Sequence, residues 1–96
     1  MSELRVIARL VAAPNKIDEL RKAAQSMLKP THAEEGNKFY ELYESNEGGR
    51  FLFNELWASQ QAFDKHVSSP HFKKFETSVK DLIAEPIEIN FLKELQ

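Results

Sequence analysis

The sequence predicts an α+β fold whose strands and helices follow one another in the order β-α-β-β-α-β. Apolar residues alternate along four short segments, as in strands, and recur every three or four residues in the segments between them. A polar stretch with two glycines, Asn46–Gly49, separates the second and third strand segments and is typical of a hairpin. This order is that of the ferredoxin-like unit, and a chain of 96 residues is expected to form one domain, 1–96.

The first strand is predicted over Glu3–Ala12, where apolar residues on both faces favour a central strand. A helix follows, with Asn15 as its predicted N-cap. Its apolar stripe consists of Ile17, Leu20, Ala24, Met27 and Leu28. Pro30 is expected to end or kink this helix, and Gly36 to cap any further turn at its C-terminus.

The second and third strands are predicted over Lys38–Ser45 and Arg50–Trp57, joined by the hairpin. The odd-numbered residues of the third strand share one face: Phe51, Phe53, Glu55 and Trp57. If the hairpin is tight, with Ser45 opposite Arg50, then Tyr40 pairs with Glu55 and shares that face.

The second helical region is predicted in two parts. Ser59 is expected to cap a short helix, and Ser69-Pro70 to begin another with proline in the first turn. The apolar stripe of this second part consists of Phe72, Phe75, Val79, Leu82 and Ile83. Pro86 is expected to end the helix, and a last strand to run from Ile87 to about Leu92.

Both faces of the predicted sheet carry apolar residues, but the two helical regions can cover only one of them. The other face would be a larger apolar patch than soluble monomers usually expose. We therefore expect a homodimer in which two sheets pack face to face about a two-fold axis.

Composition excludes several classes of function. A net charge of -2 gives no electrostatic reason to bind nucleic acid or an anionic membrane. The absence of cysteine excludes disulfides, thiolate catalysis and cysteine-ligated metals. No apolar run is long enough to span a bilayer, and Met1-Ser2-Glu3 does not begin a signal peptide, so a cytoplasmic protein is expected.

Three segments resemble the antibiotic biosynthesis monooxygenase family, which includes quinol monooxygenases and an isomerase that degrades autoinducer-2. They are E-E-G-N-K-F-Y-E-L-Y at Glu34–Tyr43, F-x-F-x-E-x-W at Phe51–Trp57, and A-F-x-x-H-x-x-S-P-H-F-K-K-F at Ala62–Phe75. The resemblance covers nearly the whole chain in order. Haem-degrading relatives carry an asparagine on the first strand where this chain has Ala8, which argues against haem cleavage.

The resemblance implies a dimeric α+β barrel with a pocket between the sheet and the helices that follow Trp57. It also implies chemistry without flavin or metal. In the monooxygenase members a phenolic or enolic substrate is deprotonated and its anion passes an electron to O2. The protein positions, desolvates and stabilises that anion. The absence of G-x-G-x-x-G and H-E-x-x-H motifs is consistent with the expectation of no cofactor.

His66 and Glu55 are the candidate catalytic residues. The ordinary pKa of histidine suits proton transfer near neutral pH, although a structural histidine that holds helix to strand is the alternative. A carboxylate on an apolar face has a raised pKa and could act as a base or orient His66. The alternative for Glu55 is an ion pair with an arginine: Arg5, Arg9 or Arg50.

Trp57 is expected to wall the pocket and to stack on the substrate or donate its indole N–H to it. The alternative is a tryptophan of the core or the dimer interface. The remaining substrate-binding candidates are Phe53, Tyr40, Phe63 and His71, although His71 also fits packing at a helix start. His32 is expected in a solvated turn. No metal site is expected, because the five-residue gap between His66 and His71 crosses a helix break.

The sequence therefore predicts a cofactor-independent monooxygenase that oxidises a small aromatic or quinol-like substrate with O2. One alternative is an isomerase or degrading enzyme for a small signalling molecule of the autoinducer-2 type, in which His66 and Glu55 move protons. The other is a non-enzymatic dimer that binds a hydrophobic ligand.

Overall fold

The computed structural model describes residues 2–95 and shows a four-stranded antiparallel sheet with helices on one face. The strands are β1 Leu4–Val11, β2 Asn37–Glu44, β3 Arg50–Trp57 and β4 Glu88–Leu92. The helices are α1 Ile17–Gln25, α2 Leu28–His32, α3 Gln60–Val67 and α4 Pro70–Val79. The strand order β2-β3-β1-β4 confirms the predicted ferredoxin-like α+β class. None of the helices within residues 2–95 is long and apolar enough to cross a bilayer.

The register of the β2–β3 hairpin is the predicted one. Ser45 N–H donates to the Arg50 carbonyl over 2.9 Å, and Tyr40 lies opposite Glu55. Gly48 and Gly49 both have a φ of +83°, which glycine adopts without the steric cost that other residues incur. The tight hairpin thereby places Tyr40 on the same sheet face as Glu55.

The core lies between that sheet face and the helices. Every odd-numbered residue of β3 from Phe51 to Trp57 is buried, as the alternation predicts. The residues of β1 that join them are Val6, Ala8 and Leu10. The helices contribute Leu20, Ala24, Phe63, Phe75 and Val79.

The residues predicted to cap the two ends of the first helical region are both wrong. Asn15 is not the N-cap of α1; it adopts φ 64°, which asparagine tolerates, and Lys16 is the N-cap without a side-chain hydrogen bond. Gly36 is not a C-cap either, because α2 ends at His32 with Ala33 as its C-cap. Pro30 lies within the first turn of α2, where a backbone N–H is not needed for helical hydrogen bonds.

The caps of the second helical region are confirmed, but its predicted end is wrong. Ser59 Oγ accepts from Ala62 N–H, and Ser69 Oγ accepts from Phe72 N–H, each over 3.2 Å. Helix α4 ends at Val79 rather than near Pro86. The chain beyond it hydrogen-bonds to the end of β1 instead: the Leu82 carbonyl accepts from Ala13 N–H over 2.8 Å.

The opposite face of the sheet is not covered by any helix of residues 2–95. Its central strands place Ile7, Leu52 and Leu56 there, all partly buried. Nearer the edges it exposes Phe39, Tyr43 and Leu92. Charged and amide groups are interleaved with these residues, and Arg5 donates to Asn54 Oδ1 over 2.9 Å. The face is thus mixed in character, with apolar residues and polar groups side by side.

Candidate active site

A small cavity lies between the covered sheet face and helices α3 and α4. Its walls are almost wholly apolar apart from three side chains, Tyr40, Glu55 and His66. The other lining residues are Val6, Ala8, Leu10, Met27, Phe53, Phe63, Phe72, Phe75, Ile87 and Ile89. The space in which the centre of a water molecule fits is about 40 Å³. A single water needs about 10–15 Å³ on this measure, so an aromatic ring enters only if side chains move.

His66 projects from α3 into this apolar enclosure and is 2% exposed. Its ring lies 4.5 Å from the Trp57 ring, centroid to centroid, and 5.1 Å from that of Phe72. Burial lowers the pKa of His66 below its ordinary value, and Glu34 partly opposes that shift. The imidazole is therefore held mainly neutral at pH 7, which is the form that accepts a proton.

Glu34 joins His66 to His71. Its Oε2 lies 2.7 Å from Nδ1 of His66 and 2.7 Å from Nε2 of His71. An ionised carboxylate only accepts hydrogen bonds, so each of these ring nitrogens carries the proton. In a neutral His66 this assigns the proton to Nδ1 and leaves the lone pair on Nε2, the nitrogen that does not contact Glu34.

Glu55 is the second titratable group of the cavity and is 4% exposed. Its Oε1 accepts a hydrogen bond of 2.9 Å from the indole N–H of Trp57. Burial raises the pKa of Glu55 to about 7, the bond from Trp57 opposes that rise, and the charge of Glu34 adds to it. Near neutral pH this carboxyl can therefore either donate or accept a proton.

Tyr40 lines the same cavity as these groups. Its ring lies 5.2 Å from that of Phe53 and 5.8 Å from that of His66, centroid to centroid. Burial, reinforced by the charges of Glu55 and Glu34, raises the pKa of the Tyr40 phenol well above its ordinary value. Tyr40 therefore stays protonated at physiological pH and can act only as a wall or a hydrogen-bonding group.

Five of the seven predicted site residues line the cavity: His66, Glu55, Phe53, Tyr40 and Phe63. Trp57 does not line it; this residue is fully buried, and its N–H is bonded to Glu55. His71 also lies outside the lining; its Nε2 contacts Glu34, and its ring lies 5.9 Å from that of His66, centroid to centroid. His32 is exposed, as predicted, and its Nε2 lies 2.8 Å from the Tyr40 carbonyl oxygen.

The hydrogen-bond partners predicted for Glu55 and His66 are wrong. Glu55 is hydrogen-bonded to Trp57 instead of an arginine; Arg5 contacts Asn54, and Arg9 lies 4.0 Å from Glu88. The residue that orients His66 is Glu34, not Glu55.

Sequence reasoning missed Glu34 and Phe72 as site residues. Glu34 lies in the turn between α2 and β2, 32 positions before His66. Glu34 is the first residue of the first segment that resembles the family, and this position could have indicated a role in the site. Phe72 was assigned to an apolar stripe, and its helical spacing does not distinguish a cavity wall from a core residue.

The five-residue gap between His66 and His71 does not keep the two side chains apart. The break between α3 and α4 turns the chain so that His71 faces back toward His66. One ligand atom from each of Glu34, His66 and His71 lies within 4.8 Å of the others. These three side chains, here called the Glu-His-His cluster, could hold a metal ion.

Comparison with known proteins agrees with this architecture. The family model described as antibiotic biosynthesis monooxygenase matches residues 4–78. A Mycobacterium tuberculosis protein named "Putative monooxygenase Rv0793" is 36% identical over 94 residues, which cover 98% of this chain and 93% of that protein. A Bacillus subtilis protein named "Putative monooxygenase YcnE" is 34% identical over 77 residues, which cover 79% of this chain and 81% of that protein.

Solved structures show the same fold. The structure of Rv0793 superimposes with a TM-score of 0.93 at 36% identity, covering 99% of this chain and 97% of the other. That of PA3566 from Pseudomonas aeruginosa also gives 0.93, at 26% identity, covering 100% of this chain and 97% of the other. The fold around the cavity is therefore shared along nearly the full length of this chain.

Proposed function

Because the chain belongs to the antibiotic biosynthesis monooxygenase family, we propose that it oxidises a small phenolic or quinol-like molecule with O2, without a flavin or metal cofactor. The family supports a monooxygenase role in general, and the proposal adds the substrate class and the mechanism. The observation that carries it is the buried imidazole of His66, held by Glu34 in an aromatic enclosure. Aromatic walls pack against a substrate ring, and a neutral imidazole accepts the proton of a phenol.

In the proposed reaction, Nε2 of His66 takes the proton of the substrate hydroxyl and becomes an imidazolium that Glu34 stabilises. The electron-rich anion transfers one electron to O2, giving a substrate radical and superoxide. These combine at a ring carbon to form a peroxide. The O–O bond then breaks as the hydrogen of that carbon leaves as a proton. One oxygen atom remains as a carbonyl, and the other leaves as water with that proton and a second one from a protein acid.

Glu55 is the proposed proton donor for the departing oxygen. Its pKa of about 7 keeps a substantial fraction protonated at neutral pH, and it lines the same cavity as His66. The proton that His66 removes and the proton that Glu55 supplies balance over one turnover. Trp57 serves this step indirectly, because its N–H fixes the Glu55 carboxyl.

The proposed substrate-binding walls are Phe53, Tyr40 and Phe63. Since the free space is about 40 Å³, binding requires an outward movement of side chains on α3, α4 or the β4 edge. Ile89 and Phe91 of β4 are 40% and 54% exposed, so this edge offers the least obstructed route. Their displacement would open the cavity without breaking the sheet.

An isomerase acting on a small carbonyl compound is the second candidate. The observation that favours it is the pairing of two proton-transfer groups, His66 and Glu55, in a space of about 40 Å³. A proton removed by one group and returned by the other would shift a carbonyl without consuming O2.

We also propose that the protein acts as a cytoplasmic homodimer that pairs through the uncovered sheet face. The partly buried and exposed apolar residues of that face, among them Leu52 and Tyr43, support this pairing. Leu52→Arg should yield monomers in size-exclusion chromatography with light scattering. Leu95→Arg, at an 85% exposed position, should not. A monomeric wild-type protein would contradict the proposal.

Oxygen-electrode measurements with a panel of quinols, naphthols and anthrones test the oxidation. We expect stoichiometric O2 uptake by the untreated and the chelator-treated wild type. His66→Gln should lose at least about 100-fold in kcat while retaining its fold, since general base catalysis contributes about 10²–10⁴-fold. Turnover of a small hydroxyketone without O2 uptake would instead support the isomerase. Ligand binding without any turnover would leave the third possibility, a binding protein.

A further inference from the structure

We propose that the Glu-His-His cluster binds one divalent transition-metal ion of the Zn²⁺ type. Its three side chains offer two imidazole nitrogens and one carboxylate oxygen, a ligand set that suits Zn²⁺ and leaves coordination positions for water. The ligands come from three different places: the turn before β2, helix α3 and helix α4. Folding therefore assembles the site, which no single segment of the sequence contains.

The distances fit a site that lacks its ion. Both imidazole nitrogens lie 2.7 Å from the same oxygen of Glu34, and all three ligand atoms lie within 4.8 Å of one another. Zinc bonds of about 2.0–2.2 Å would place ligand atoms about 3–3.5 Å apart. Side-chain shifts of about 1 Å thus convert the hydrogen-bonded arrangement into a coordinating one.

An ion can reach the cluster from the surface without passing through the cavity. The side chains of His71 and Glu34 are 24% and 16% exposed, whereas that of His66 is 2% exposed. His71 borders a surface groove with Lys74 and Ser78, and Glu34 borders another with Gly36 and Lys65. The outer two ligands are therefore open to solvent, and the buried His66 completes the site from within.

Metal binding changes the tautomer of His66. A metal on Nδ1 requires the lone pair there, so in the neutral ring the proton moves to Nε2. Nε2 then donates a hydrogen bond and can no longer accept the substrate proton. If the proposed base role of His66 is right, the ion is an inhibitor of turnover. The binding itself does not depend on that role.

Untagged protein titrated with Zn²⁺ by calorimetry tests the binding. We expect one ion per chain with a dissociation constant in the micromolar range or below. Loss of one ligand, in Glu34→Gln or His71→Ala, should weaken binding by at least about 10-fold, since even the loss of a group outside the ligand set costs about 10–100-fold. The matched control is His32→Ala, which removes an exposed histidine outside the cluster and should bind Zn²⁺ as the wild type does.

The histidine ring signals of the wild type in NMR spectra give a test that does not depend on the folding of a variant. Stoichiometric Zn²⁺ should shift the signals of His66 and His71 and leave those of His32 in place. Equal binding by the wild type and the Glu34→Gln/His71→Ala double variant would overturn the proposal, as would unshifted His66 signals at saturation. Binding without inhibition would retain the metal site but contradict the base role of His66.

Discussion

Glu34 Oε2 lies 2.7 Å from Nδ1 of His66 and so connects the turn before β2 to the middle of α3. The contact fixes the proton of His66 on Nδ1 and directs its basic nitrogen away from the carboxylate. It also supplies a negative charge next to the imidazolium that would form when His66 accepts a proton. One contact thus sets both the tautomer and the basicity of the proposed base.

Glu34→Gln should lower kcat and shift its pH dependence. Glu34 raises the pKa of His66 against the effect of burial, so removing the charge lowers that pKa further. We expect the acid limb of the kcat/KM profile to move to lower pH and the plateau to fall, because a less basic imidazole removes the substrate proton more slowly. The control is Glu35→Gln at the adjacent exposed position. Identical profiles for wild type and Glu34→Gln would show that Glu34 does not tune His66.

Trp57 should report the protonation of His66 by fluorescence. It is the only tryptophan, and its ring lies 4.5 Å from that of His66 at an interplanar angle of 37°. A protonated imidazole quenches indole emission on contact, so emission should fall as the pH decreases through the lowered pKa of His66. Glu55 also contacts Trp57, so the titration is best made in a Glu55→Gln background. If His66→Gln in that background titrates in the same way, the signal does not come from His66.

Glu55 should make folding stability decrease with rising pH. Its pKa is about 7 in the folded protein against 4.5 for a free glutamate. Between these values the folded chain retains a proton that the unfolded chain has lost, so the free energy of unfolding falls as pH rises. The total effect is about 3 kcal/mol at 1.36 kcal/mol per pKa unit. His66, whose folded pKa is lowered, acts in the opposite direction up to its ordinary value.

The difference between wild type and Glu55→Gln isolates this contribution, because both contain His66. Urea unfolding at several pH values from 4.5 to 8 should show the wild type losing stability relative to the variant as pH rises. A constant difference over that range would mean that Glu55 ionises as a solvent-exposed carboxyl does.

Gly36→Ala should destabilise the contact between the turn before β2 and helix α3. A Cβ at this position would overlap Cβ of Ala62. The Gly36 carbonyl accepts from Ala58 N–H over 2.8 Å, so the two backbones cannot separate without breaking that bond. We expect a loss of about 1–3 kcal/mol in urea unfolding, the usual cost of overpacking. The double variant Gly36→Ala/Ala62→Gly should recover part of it. A neutral single substitution would show that α3 is free to shift.

The strand pairings could be predicted because strands have a side-chain period of two. Once the hairpin length placed Ser45 opposite Arg50, the face of Tyr40 and Glu55 followed, and the structure confirms it. The same periodicity placed Trp57 on the buried face. It could not show that the indole N–H is bonded within its own strand, to Glu55, because that depends on side-chain rotation.

The predictions that failed concern features that depend on contacts between residues far apart in the sequence. Glu34 contacts His66 because of the conformation of the turn before β2. A turn has no sequence periodicity from which the direction of its side chains could be predicted. Helix α4 ends early because the chain after Val79 bonds to the end of β1, a tertiary contact that overrides the apolar stripe. His71 meets the cluster because the chain turns between α3 and α4, and the spacing of residues alone does not give the angle of that turn.

The most direct test of the central claim is the origin of the oxygen atom in the product. Wild-type protein should be incubated with a quinol or anthrone substrate under ¹⁸O2 in H₂¹⁶O, and the product analysed by mass spectrometry. We predict one ¹⁸O atom in each freshly formed product molecule, and loss of its formation in His66→Gln with the fold intact. A product formed by the wild type without ¹⁸O, or formed at an unchanged rate by His66→Gln, would contradict oxygenation by a base in this cavity.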